Sequence, residues 1–410
     1  MGLLLRDVRL AADPRARVDV RAEGGVVASV GPAITPKPGD VVVDGAGGLC
    51  LPALAEPHAH LDKAYLADRV VNRTGDLAGA IDAMMAAHPT ITVEDIAERA
   101  ERAVRRMVAN GATAIRSHVD VTAANGLRGV EALVEVRRRV ADLCSLQLVA
   151  LVEWPVAGPE GAASRDRATA AIRAGVDVLG GCPHLDEDAR AANSALLDLA
   201  AELGVPLDLH CDETLDAGAL SLDHLAEEVV TRRHAHPVVA SHCVSLGVQD
   251  DATQSRVAAR VAEAGVGVIA LPHTNLFLQG RDRQHAMPRG LTAVRALRRA
   301  GATVAAGADN LQDPFNPVGR ADPLETAALM VMAAHLLPDE ALEAVTHAPR
   351  AVMSLPVAGP MVGARAELVV VPAADPRAAI ADQPPHRIVV HDGRVVAGVD
   401  GSGRAGTPSD

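Results

Sequence analysis

Two histidines separated by one residue, His58 and His60, follow an apolar run at residues 49–55. The run is typical of a short buried strand, and Pro57 stiffens the chain where that strand would end. Side chains two positions apart on a strand point to the same face, so both imidazoles can reach one metal ion. The pair alone is weak evidence, because two ordinary surface or core histidines would give the same pattern.

Ligand-type and acid–base side chains recur in this way along the chain, each at the end of an apolar, strand-like run. In chain order, the later ones are His118 with Asp120, Glu153, His184, His210 with Asp212 and Glu213, His242, His273 with Asn275, and Asp309 with Asn310. Unrelated core histidines are a poor explanation for such regular placement, whereas a shared functional site explains it directly.

Eight strands and the helices between them would position these side chains. The strands are predicted to end near His58, His118, Glu153, Gly181, His210, His242, Pro272 and Asp309, with amphipathic helical stretches including 93–110, 127–143, 188–203, 251–264 and 291–300. Glycines at 111, 204, 265 and 301 suit helix C-terminal caps. The alternation predicts an α/β fold, a TIM-like (β/α)8 barrel with its chemistry at the C-terminal strand ends.

Both termini are rich in short β-type runs without a helical period, and residues 391–394 are typical of a tight hairpin turn. The two ends are therefore predicted to form one small β-sandwich domain. The predicted boundaries are 1–48 and 356–400 for the two parts of this domain, 49–355 for the catalytic barrel and 401–410 for a disordered tail.

Composition excludes several functions. The chain has 410 residues and a formal net charge of −13, without a basic patch interleaved with aromatic residues, which argues against nucleic acid or an anionic membrane as a partner. Neither a signal peptide nor an apolar run long enough to span a bilayer is visible. Five widely spaced cysteines without a CxxC motif favour a reducing, cytoplasmic location. The sequence leaves a homo-oligomer open.

Several stretches together resemble the amidohydrolase superfamily, and within it the cytosine deaminase branch, over about residues 45–355. They are EPHAHLDK at 56–63, RSHVDV at 116–121, LHCDE at 209–213, ASH at 240–242, LQGR at 278–281 and GADN at 307–310 with DPF at 313–315. The superfamily shares the His-x-His pair, whereas the sequence His-Cys-Asp-Glu after strand five is specific to this branch.

The resemblance implies one divalent metal ion, Zn²⁺ or Fe²⁺, with four ligands: His58, His60, His210 and Asp309. A single ion is expected because Pro183 and His184 stand where a bridging lysine would otherwise be. Neutral imidazoles with one carboxylate leave room for a water molecule, and a bound cation lowers the pKa of that water from ~15.7 toward ~7. Lys63, just beyond the first strand, is interpreted as structural.

The resemblance also implies three catalytic residues. Asp309 would accept the proton of the water molecule, and His242 would hydrogen-bond the attacking oxygen. Glu213 would protonate the ring nitrogen during attack and then deliver a proton to the leaving amine.

The expected substrate is a small nitrogen heterocycle. The residues predicted to contact it are Glu153, Asn310, His118, Trp154, His273 and Phe315. The deaminases that this chain resembles have glutamine in place of Glu153, and cytosine deaminase has aspartate in place of Asn310. An ionised glutamate only accepts hydrogen bonds, so it favours a substrate edge with two donors rather than the mixed edge of cytosine.

The sequence therefore predicts an aminohydrolase (a hydrolase of C–N bonds other than peptide bonds) that removes ammonia from an amino-substituted heterocycle other than cytosine. A cyclic amide or amidine hydrolase, or a triazine-type hydrolase that removes a substituted amine, is the alternative on the same metal site. A non-catalytic scaffold on the same barrel would be expected to lose metal ligands, and this chain keeps all four.

Overall fold

The structure is a computed structural model that describes residues 2–398, so the predicted tail at 401–410 lies outside the described residues. Two eight-stranded sheets organise the chain. The terminal sheet contains β1 (Gly2–Leu10), β2 (Asp13–Glu23), β3 (Val26–Gly31), β4 (Val41–Asp44), β5 (Leu49–Pro52), β14 (Leu368–Val371), β15 (Ile388–His391) and β16 (Arg394–Ala397). The barrel sheet contains β6 (Leu54–Ala59), β7 (Ala112–Val121), β8 (Ser145–Val152), β9 (Val178–Gly181), β10 (Leu207–Cys211), β11 (Val238–His242), β12 (Gly267–Ala270) and β13 (Val304–Ala306).

The barrel strands are parallel, and each pairs with the next strand along the chain. The predicted (β/α)8 barrel is therefore confirmed, and each strand ends within three residues of its predicted end. The helices are α1 (Leu77–Ala87), α2 (Val93–Ala109), α3 (Arg128–Arg139), α4 (Ala162–Arg173), α5 (Ala189–Leu203), α6 (Ser221–Arg232), α7 (Asp251–Ala264), α8 (Pro272–Leu278), α9 (Val294–Arg299), α10 (Pro323–Ala333), α11 (Pro338–Ala344), α12 (His347–Val352) and α13 (Pro376–Asp382). Among the described residues, no helix is long and apolar enough to cross a membrane.

Local sequence explains where these helices start and stop. The Thr92 side chain accepts a hydrogen bond from the N–H of Asp95 and caps α2, whose first turn carries acidic residues that suit the helix dipole. Gly204 and Gly265 end α5 and α7 in the left-handed conformation, with φ of 68° and 65°. Only glycine adopts this conformation without strain, which is why the glycine positions predicted these ends well.

The barrel closes where β13 meets β6. The N–H of Asp309 donates to the carbonyl of His58 (3.0 Å), and the Glu56 carboxylate accepts from the N–H of His58 (3.1 Å) and of Ala308 (2.9 Å). A Cβ atom on Gly307 would lie 2.5 Å from Glu56 Oε1, so glycine leaves room for this carboxylate. Side-chain hydrogen bonds thus complete the closure beside two of the predicted metal ligands.

The terminal sheet joins both ends of the chain. β1 pairs with β2 in antiparallel and with β4 and β5 in parallel orientation, and β14 of the C-terminal part pairs with β5. The strands are one continuous mixed sheet with its own buried apolar cluster, to which both ends contribute. The small terminal β domain is confirmed, and the predicted turn at 391–394 joins β15 to β16.

The apolar run at 49–55, predicted to be one strand, is divided between the two sheets. The N–H of Ala53 donates to the carbonyl of Glu367 in the terminal domain, whereas the N–H of Leu54 donates to the carbonyl of Gly111 in the barrel. Continuous hydrophobicity could not show this division, because both strands are buried. We therefore propose that the barrel domain begins at Leu54 rather than at residue 49.

A buried ion pair ties the terminal domain to the barrel. The Arg387 guanidinium binds both carboxylate oxygens of Asp322 at 2.7 Å, and Asp322 also caps the N-terminus of α10. Both side chains are almost fully buried, so the bidentate geometry compensates the loss of their hydration.

Candidate active site

The four predicted metal ligands converge at the C-terminal end of the barrel. Nε2 of His60 lies 3.2 Å from Nε2 of His210 and 3.2 Å from Oδ1 of Asp309. Nε2 of His58 lies 3.5 Å from the same Asp309 oxygen. β6 carries His58 and leads into His60, β10 carries His210, and Asp309 follows β13 by three residues. Because parallel strands end at the same rim, residues far apart in sequence meet here.

The chemistry of this donor set fits a metal ion. Two ligand atoms that are each about 2.1 Å from one ion are roughly 3.2 Å apart when the angle between them is about 100°. Among the described residues, Nε2 of His58 and both carboxylate oxygens of Asp309 are buried without a hydrogen-bond partner. Such buried groups are normally satisfied, so these atoms are suited to ligation of a cation. Three-ligand groups, including His58 with His60 and His210, have ligand atoms within 4.8 Å of one another.

Electrostatics agree with this assignment. Burial lowers the pKa of His58, His60 and His210 well below the usual value, which keeps the imidazoles neutral and able to ligate. Burial also raises the pKa of Asp309 well above its usual value, and the nearby carboxylate of Glu213 adds to the shift. A cation beside Asp309 would remove that penalty.

His242, at the end of β11, faces the same centre. Its Nε2 lies 3.8 Å from Oδ2 of Asp309, and its Nδ1 lies 3.2 Å from Nδ2 of Asn275. When the Asn275 amide donates to Nδ1, the imidazole proton is on Nε2 and points toward the metal ligands. Burial lowers the pKa of His242 to about 3, so the ring is a neutral hydrogen-bond donor at pH 7.

Glu213 lies beside His242, with its Oε1 3.4 Å from Nδ1 of the imidazole. The preceding Asp212 turns away from the cavity, because its carboxylate accepts hydrogen bonds from Ser221 and from the N–H of Leu222 at the start of α6. This anchor directs Glu213 to the cavity. Burial raises the pKa of Glu213 to about 8, so the side chain carries a proton at neutral pH.

A buried polar chain supports His58 from below. Its Nδ1–H donates to Oγ of Ser241 (2.8 Å), the Ser241 hydroxyl donates to Asp208 (3.3 Å), and Asp208 accepts from Arg116 (2.7 Å). Asp208 and Ser241 have no solvent exposure. Such partners fix which ring nitrogen is protonated and how the ring is oriented. Here they leave Nε2 of His58 free to ligate.

His118 lies under the site and does not line the cavity, contrary to its predicted contact with substrate. Its ring centroid is 4.0 Å from that of His58, and its Nε2 is 3.8 Å from Asp208. β7 places the side chain inside the barrel, where it is fully buried. The structure therefore gives His118 a packing position against His58, one of the predicted metal ligands.

His273 is the second residue that the structure places away from the cavity. Its Nε2 lies 3.1 Å from Oγ1 of Thr326 on α10, and burial lowers its pKa to about 4. α8 begins at Pro272, immediately after β12, and helical geometry turns the next side chain toward the neighbouring helix. A strand-end position in sequence therefore did not guarantee a position in the cavity.

A cavity of about 290 Å³ opens above the ligand cluster. The predicted contact residues that line it are Glu153, Trp154, Asn310 and Phe315. One oxygen of Glu153, Oε2, already accepts from the N–H of Ala123 (2.7 Å) and from Arg167 (3.1 Å). Within the described residues, the other oxygen, Oε1, is therefore the one that Glu153 can offer to a substrate.

Lys63 and His88 belong to the cavity wall, where both lie close to Asp120, but neither was predicted to belong to the site. Nζ of Lys63 lies 2.6 Å from Asp120, and Nε2 of His88 lies 3.3 Å from the other Asp120 oxygen. All three line the cavity, although Lys63 had been interpreted as structural. Burial lowers the pKa of Lys63, but the carboxylates of Asp120 and Asp62 outweigh this and raise it. His88 is contributed by the 3-10 turn His88–Thr90, where no strand-end pattern could reveal it.

A parallel barrel with imidazole and carboxylate groups converging at its strand ends is typical of metal-dependent barrel enzymes. The chain belongs to the amidohydrolase family, whose sequence model matches residues 68–397. The family predicted from the sequence motifs is thereby confirmed.

Known relatives are similar to this protein over nearly the whole chain. A pterin deaminase of Rhizobium rhizogenes is 31% identical over 385 residues, which are 93% of this chain and 88% of that protein. The crystal structure of a 5-methylcytosine deaminase from Klebsiella pneumoniae with 5-fluorocytosine has a TM-score of 0.87 at 30% identity and covers 97% of both chains. An N-isopropylammelide isopropylaminohydrolase from Burkholderia multivorans has a TM-score of 0.84 at 32% identity, covering 97% of this chain and 98% of the other.

Proposed function

We propose that this protein is a metal-dependent aminohydrolase that hydrolyses the exocyclic C–N bond of an amino-substituted nitrogen heterocycle. The observation that carries this proposal is the convergence of His58, His60, His210 and Asp309 at the base of a cavity that a protonated Glu213 also lines. The similarity to a pterin deaminase and a 5-methylcytosine deaminase supports the same reaction class. The proposed partner is thus a small heterocycle.

The four converging side chains would hold one divalent ion, Zn²⁺ or Fe²⁺, because their nitrogen and oxygen donors suit either metal. When bound, such an ion would act as a Lewis acid and lower the pKa of a coordinated water molecule toward ~7. Asp309 would accept a proton of the attacking water through its carboxylate group. Its position within 3.8 Å of His242 supports this role.

His242 would stabilise the developing negative charge, and Glu213 would transfer protons. The Nε2–H group of His242 would donate to the attacking oxygen and stabilise the negative charge that develops on it. Glu213 would protonate the ring nitrogen next to the carbon under attack. The carboxylate left behind would take the hydroxyl proton of the tetrahedral adduct as the C=O bond forms and pass it to the departing amine, which leaves as ammonia. The proton held by Asp309 would then restore the protonated Glu213. A pKa raised to about 8 suits the first of these steps, because the carboxyl group is protonated before the reaction.

A panel of aminopyrimidines, aminotriazines and aminopteridines tests the reaction class. The protein loaded with Zn²⁺ or Fe²⁺ is expected to release ammonia from at least one compound, with the ring mass retained apart from replacement of the amine by oxygen. Glu213→Gln should lower the rate about 10²–10⁴-fold while keeping the metal, because it removes one general acid. Glu160→Gln, a change of the same type at an exposed carboxylate, is the matched control.

Ammonia release from no compound in either metal form would contradict the proposal. Addition of water to the ring without loss of nitrogen would instead indicate a cyclic amide or amidine hydrolase. Both outcomes are resolved by mass spectrometry of the product alongside an ammonia assay.

Removal of a substituted amine is the second candidate, favoured by the 32% identity to the isopropylaminohydrolase of Burkholderia multivorans. The same residues would serve this reaction, and only the space around the leaving group would differ. Release of isopropylamine from N-isopropylammelide, faster than release of ammonia from its unsubstituted amino analogue, would establish it.

We also propose a cytoplasmic location. All five cysteines are free, and four of them are buried, as expected for a protein that folds under reducing conditions.

A further inference from the structure

A second cavity, of about 450 Å³, lies apart from the catalytic cavity and shares no lining residue with it. Most of its lining comes from residues 247–248 after β11, from residues 288–296 with Arg299 in the loop before α9 and in α9 itself, and from residues 333–335 at the end of α10. None of its lining residues belongs to a barrel strand. We call this cavity the outer groove. Its volume is within the range of small-molecule binding sites.

The outer groove is basic, although the chain has more acidic than basic residues. Arg289, Arg295, Arg299 and His335 line it, and no aspartate or glutamate does. In the part of the chain that the structure describes, the neighbouring Arg298 forms a salt bridge with Glu343 (2.9 Å), whereas the three arginines of the groove form none. Their positive charges are therefore available to an anion from solution.

Arg289 is held in place at one side of the groove. Its Nη1 donates to the carbonyl of Ala333 (2.9 Å) and lies 2.8 Å from Nε2 of His335. Because a guanidinium group only donates hydrogen bonds, Nε2 of His335 must accept, which leaves the imidazole proton on Nδ1. The pair therefore offers further donors to a ligand, namely the other N–H groups of Arg289 and the Nδ1–H group of His335.

Two more guanidinium groups come from α9. Residues four positions apart lie next to each other on one face of a helix, so Arg295 and Arg299 line the groove side by side. Both side chains are exposed. The planar fork of a guanidinium group matches the oxygen atoms of a phosphate group and can bind two of them at once.

Thr292 is an independent indication of a ligand. Its side chain is only 5% exposed, and its Oγ1 atom has no hydrogen-bond partner among the described residues, yet the residue lines the outer groove. Buried hydroxyl groups are normally hydrogen-bonded, and the hydroxyl of threonine can donate to an anionic oxygen. An oxygen atom of a ligand in the groove would satisfy this hydroxyl.

The loop that forms the groove also packs behind the catalytic residues. Gly290 has a φ of 67°, and a Cβ atom there would lie 3.0 Å from the carbonyl of Asn275 and 2.7 Å from Cβ of Gln279. Nδ2 of Asn275 lies 3.2 Å from Nδ1 of His242, and Nε2 of Gln279 donates to the carbonyl of Glu213 (3.2 Å). A ligand that fixes this loop would therefore also restrain the residues that support His242 and Glu213.

We propose that the outer groove binds a small anion of the phosphate class, either inorganic phosphate or the phosphoryl group of a metabolite. Its oxygen atoms accept hydrogen bonds from Arg289, Arg295 and Arg299, and from the hydroxyl of Thr292. The volume of about 450 Å³ equals that of roughly fifteen water molecules at ~30 Å³ each, so a phosphoryl group with a small organic body fits. The net charge of −13 disfavours a polymeric anion such as nucleic acid.

Calorimetric titration tests this site. Metal-loaded wild type and the groove variant Arg295→Gln/Arg299→Gln are titrated with inorganic phosphate and with glycerol 2-phosphate. Arg173→Gln/Arg377→Gln is the charge-matched control, because both arginines are exposed and lie outside the groove, on α4 and α13. The groove variant should bind at least about tenfold more weakly than wild type, which corresponds to about 1.4 kcal/mol. The control should stay within about twofold of wild type.

Two further measurements locate the ligand. Thr292→Val, which replaces the hydroxyl with a methyl group of similar size, should weaken binding about threefold. Hydrogen exchange should become slower at residues 275–293 when wild type binds the anion, and should not change in the groove variant. Binding of glycerol 2-phosphate at least as tight as that of phosphate would assign the site to a phosphorylated metabolite, whereas weaker binding would assign it to the free ion.

The proposal would be overturned if wild type bound neither compound, or if the groove variant and the charge-matched control had equal affinities. An anion held only by the predicted metal ligands would give the second result, because both double variants keep those ligands. Unchanged hydrogen exchange at residues 275–293 in wild type would also overturn it. None of these measurements depends on ammonia release, so the result is independent of the proposed reaction.

Discussion

The two walls of the cavity are built by different means. We call the strand-end cluster of His58, His60, His210, His242 and Asp309 the floor. Each of its side chains comes from the end of a barrel strand or the residues just beyond it, and buried hydrogen bonds such as that of His58 to Ser241 fix their orientation. The opposite wall is helix α1 with the turn His88–Thr90, which we call the cap. The cap comes from one connection between β6 and α2, and it presents flexible apolar side chains such as those of Met84 and Met85.

From this difference we infer that the floor governs the reaction and the cap governs the choice of substrate. The floor is anchored to four of the eight barrel strands, β6, β10, β11 and β13, so an atom of these side chains can move little without disturbing the barrel. The cap is held by a few hydrogen bonds at its ends, so its sequence can change without affecting the strands. Substitutions in the floor should therefore alter the rate for every substrate, and substitutions in the cap should alter the choice among substrates.

The largest effect is expected from removing a floor ligand. His60→Ala should lower activity by at least about 10³-fold toward every substrate, because loss of Lewis acidity costs several kcal/mol of transition-state stabilisation. Metal content measured after dialysis should fall below one ion per chain. His273→Ala, which removes a histidine outside the cavity, should keep both metal and activity. Full metal retention in His60→Ala would show that the floor does not bind the ion as described.

A smaller effect is expected one layer below the floor. Ser241→Ala removes the hydroxyl that accepts from Nδ1 of His58, and loss of such a partner typically weakens metal binding about 10–100-fold. Competition with a chelator measures this affinity directly. Ser245→Ala is the matched control, because Ser245 is also a buried serine but its Oγ lacks a hydrogen-bond partner among the described residues. Equal affinities in the two variants would mean that Ser241 only fills space.

The pH profile should show a loss of about tenfold by pH 9. Burial raises the pKa of Glu213 to about 8, and the proposed role requires the protonated form. The ratio kcat/KM should therefore fall about tenfold for each pH unit above pH 8. Substrates that differ only in the part near the cap should show the same loss of activity above pH 8, because that loss comes from Glu213 beside the floor and not from the cap. If the pH at which activity falls changed with the part of the substrate near the cap, the division between the two walls would be contradicted.

The smallest effect is expected at Glu153, on the cavity wall between the two regions. Glu153→Gln introduces a donor where the wild type has only acceptors, and it should raise kcat/KM for cytosine about fivefold relative to wild type. The measurement is steady-state ammonia release from cytosine and isocytosine in parallel. Arg167→Gln removes the partner of the outer oxygen and should not produce this gain. An unchanged preference between cytosine and isocytosine in Glu153→Gln would mean that this side chain does not hydrogen-bond the edge of the substrate.

The floor was predictable because its residues obey a simple rule. Each of His58, His210 and Asp309 follows an apolar strand, and the barrel brings all strand ends to one rim whatever the loop lengths between them. The rule failed at His273, where the chain turns into a helix immediately, and at His118, whose strand continues to Val121 and keeps the side chain inside the barrel.

The cap was not predictable by that rule. α1 has an apolar stripe like any amphipathic helix, and nothing in its spacing distinguishes a stripe that faces a cavity from one that faces the core. The position of Lys63 in the cavity wall was not predictable for a related reason, since only the fold brings Asp120 and His88 close to it. The division of residues 49–55 between two sheets likewise depends on pairing partners near residues 111 and 367, far away in the sequence.

The contact between Glu56 and Ala308 joins residues that are 252 positions apart in the chain. Contacts of this range form only after the intervening segments have folded, because closing so long a loop is entropically unfavourable. Metal-ligand geometry at His58 and Asp309 should therefore be completed late in folding, when the first and last strands of the ring meet. An ion bound between His58 and Asp309 would hold the first and last barrel strands together. Metal uptake, followed by spectroscopy during refolding, would therefore report when the barrel closes.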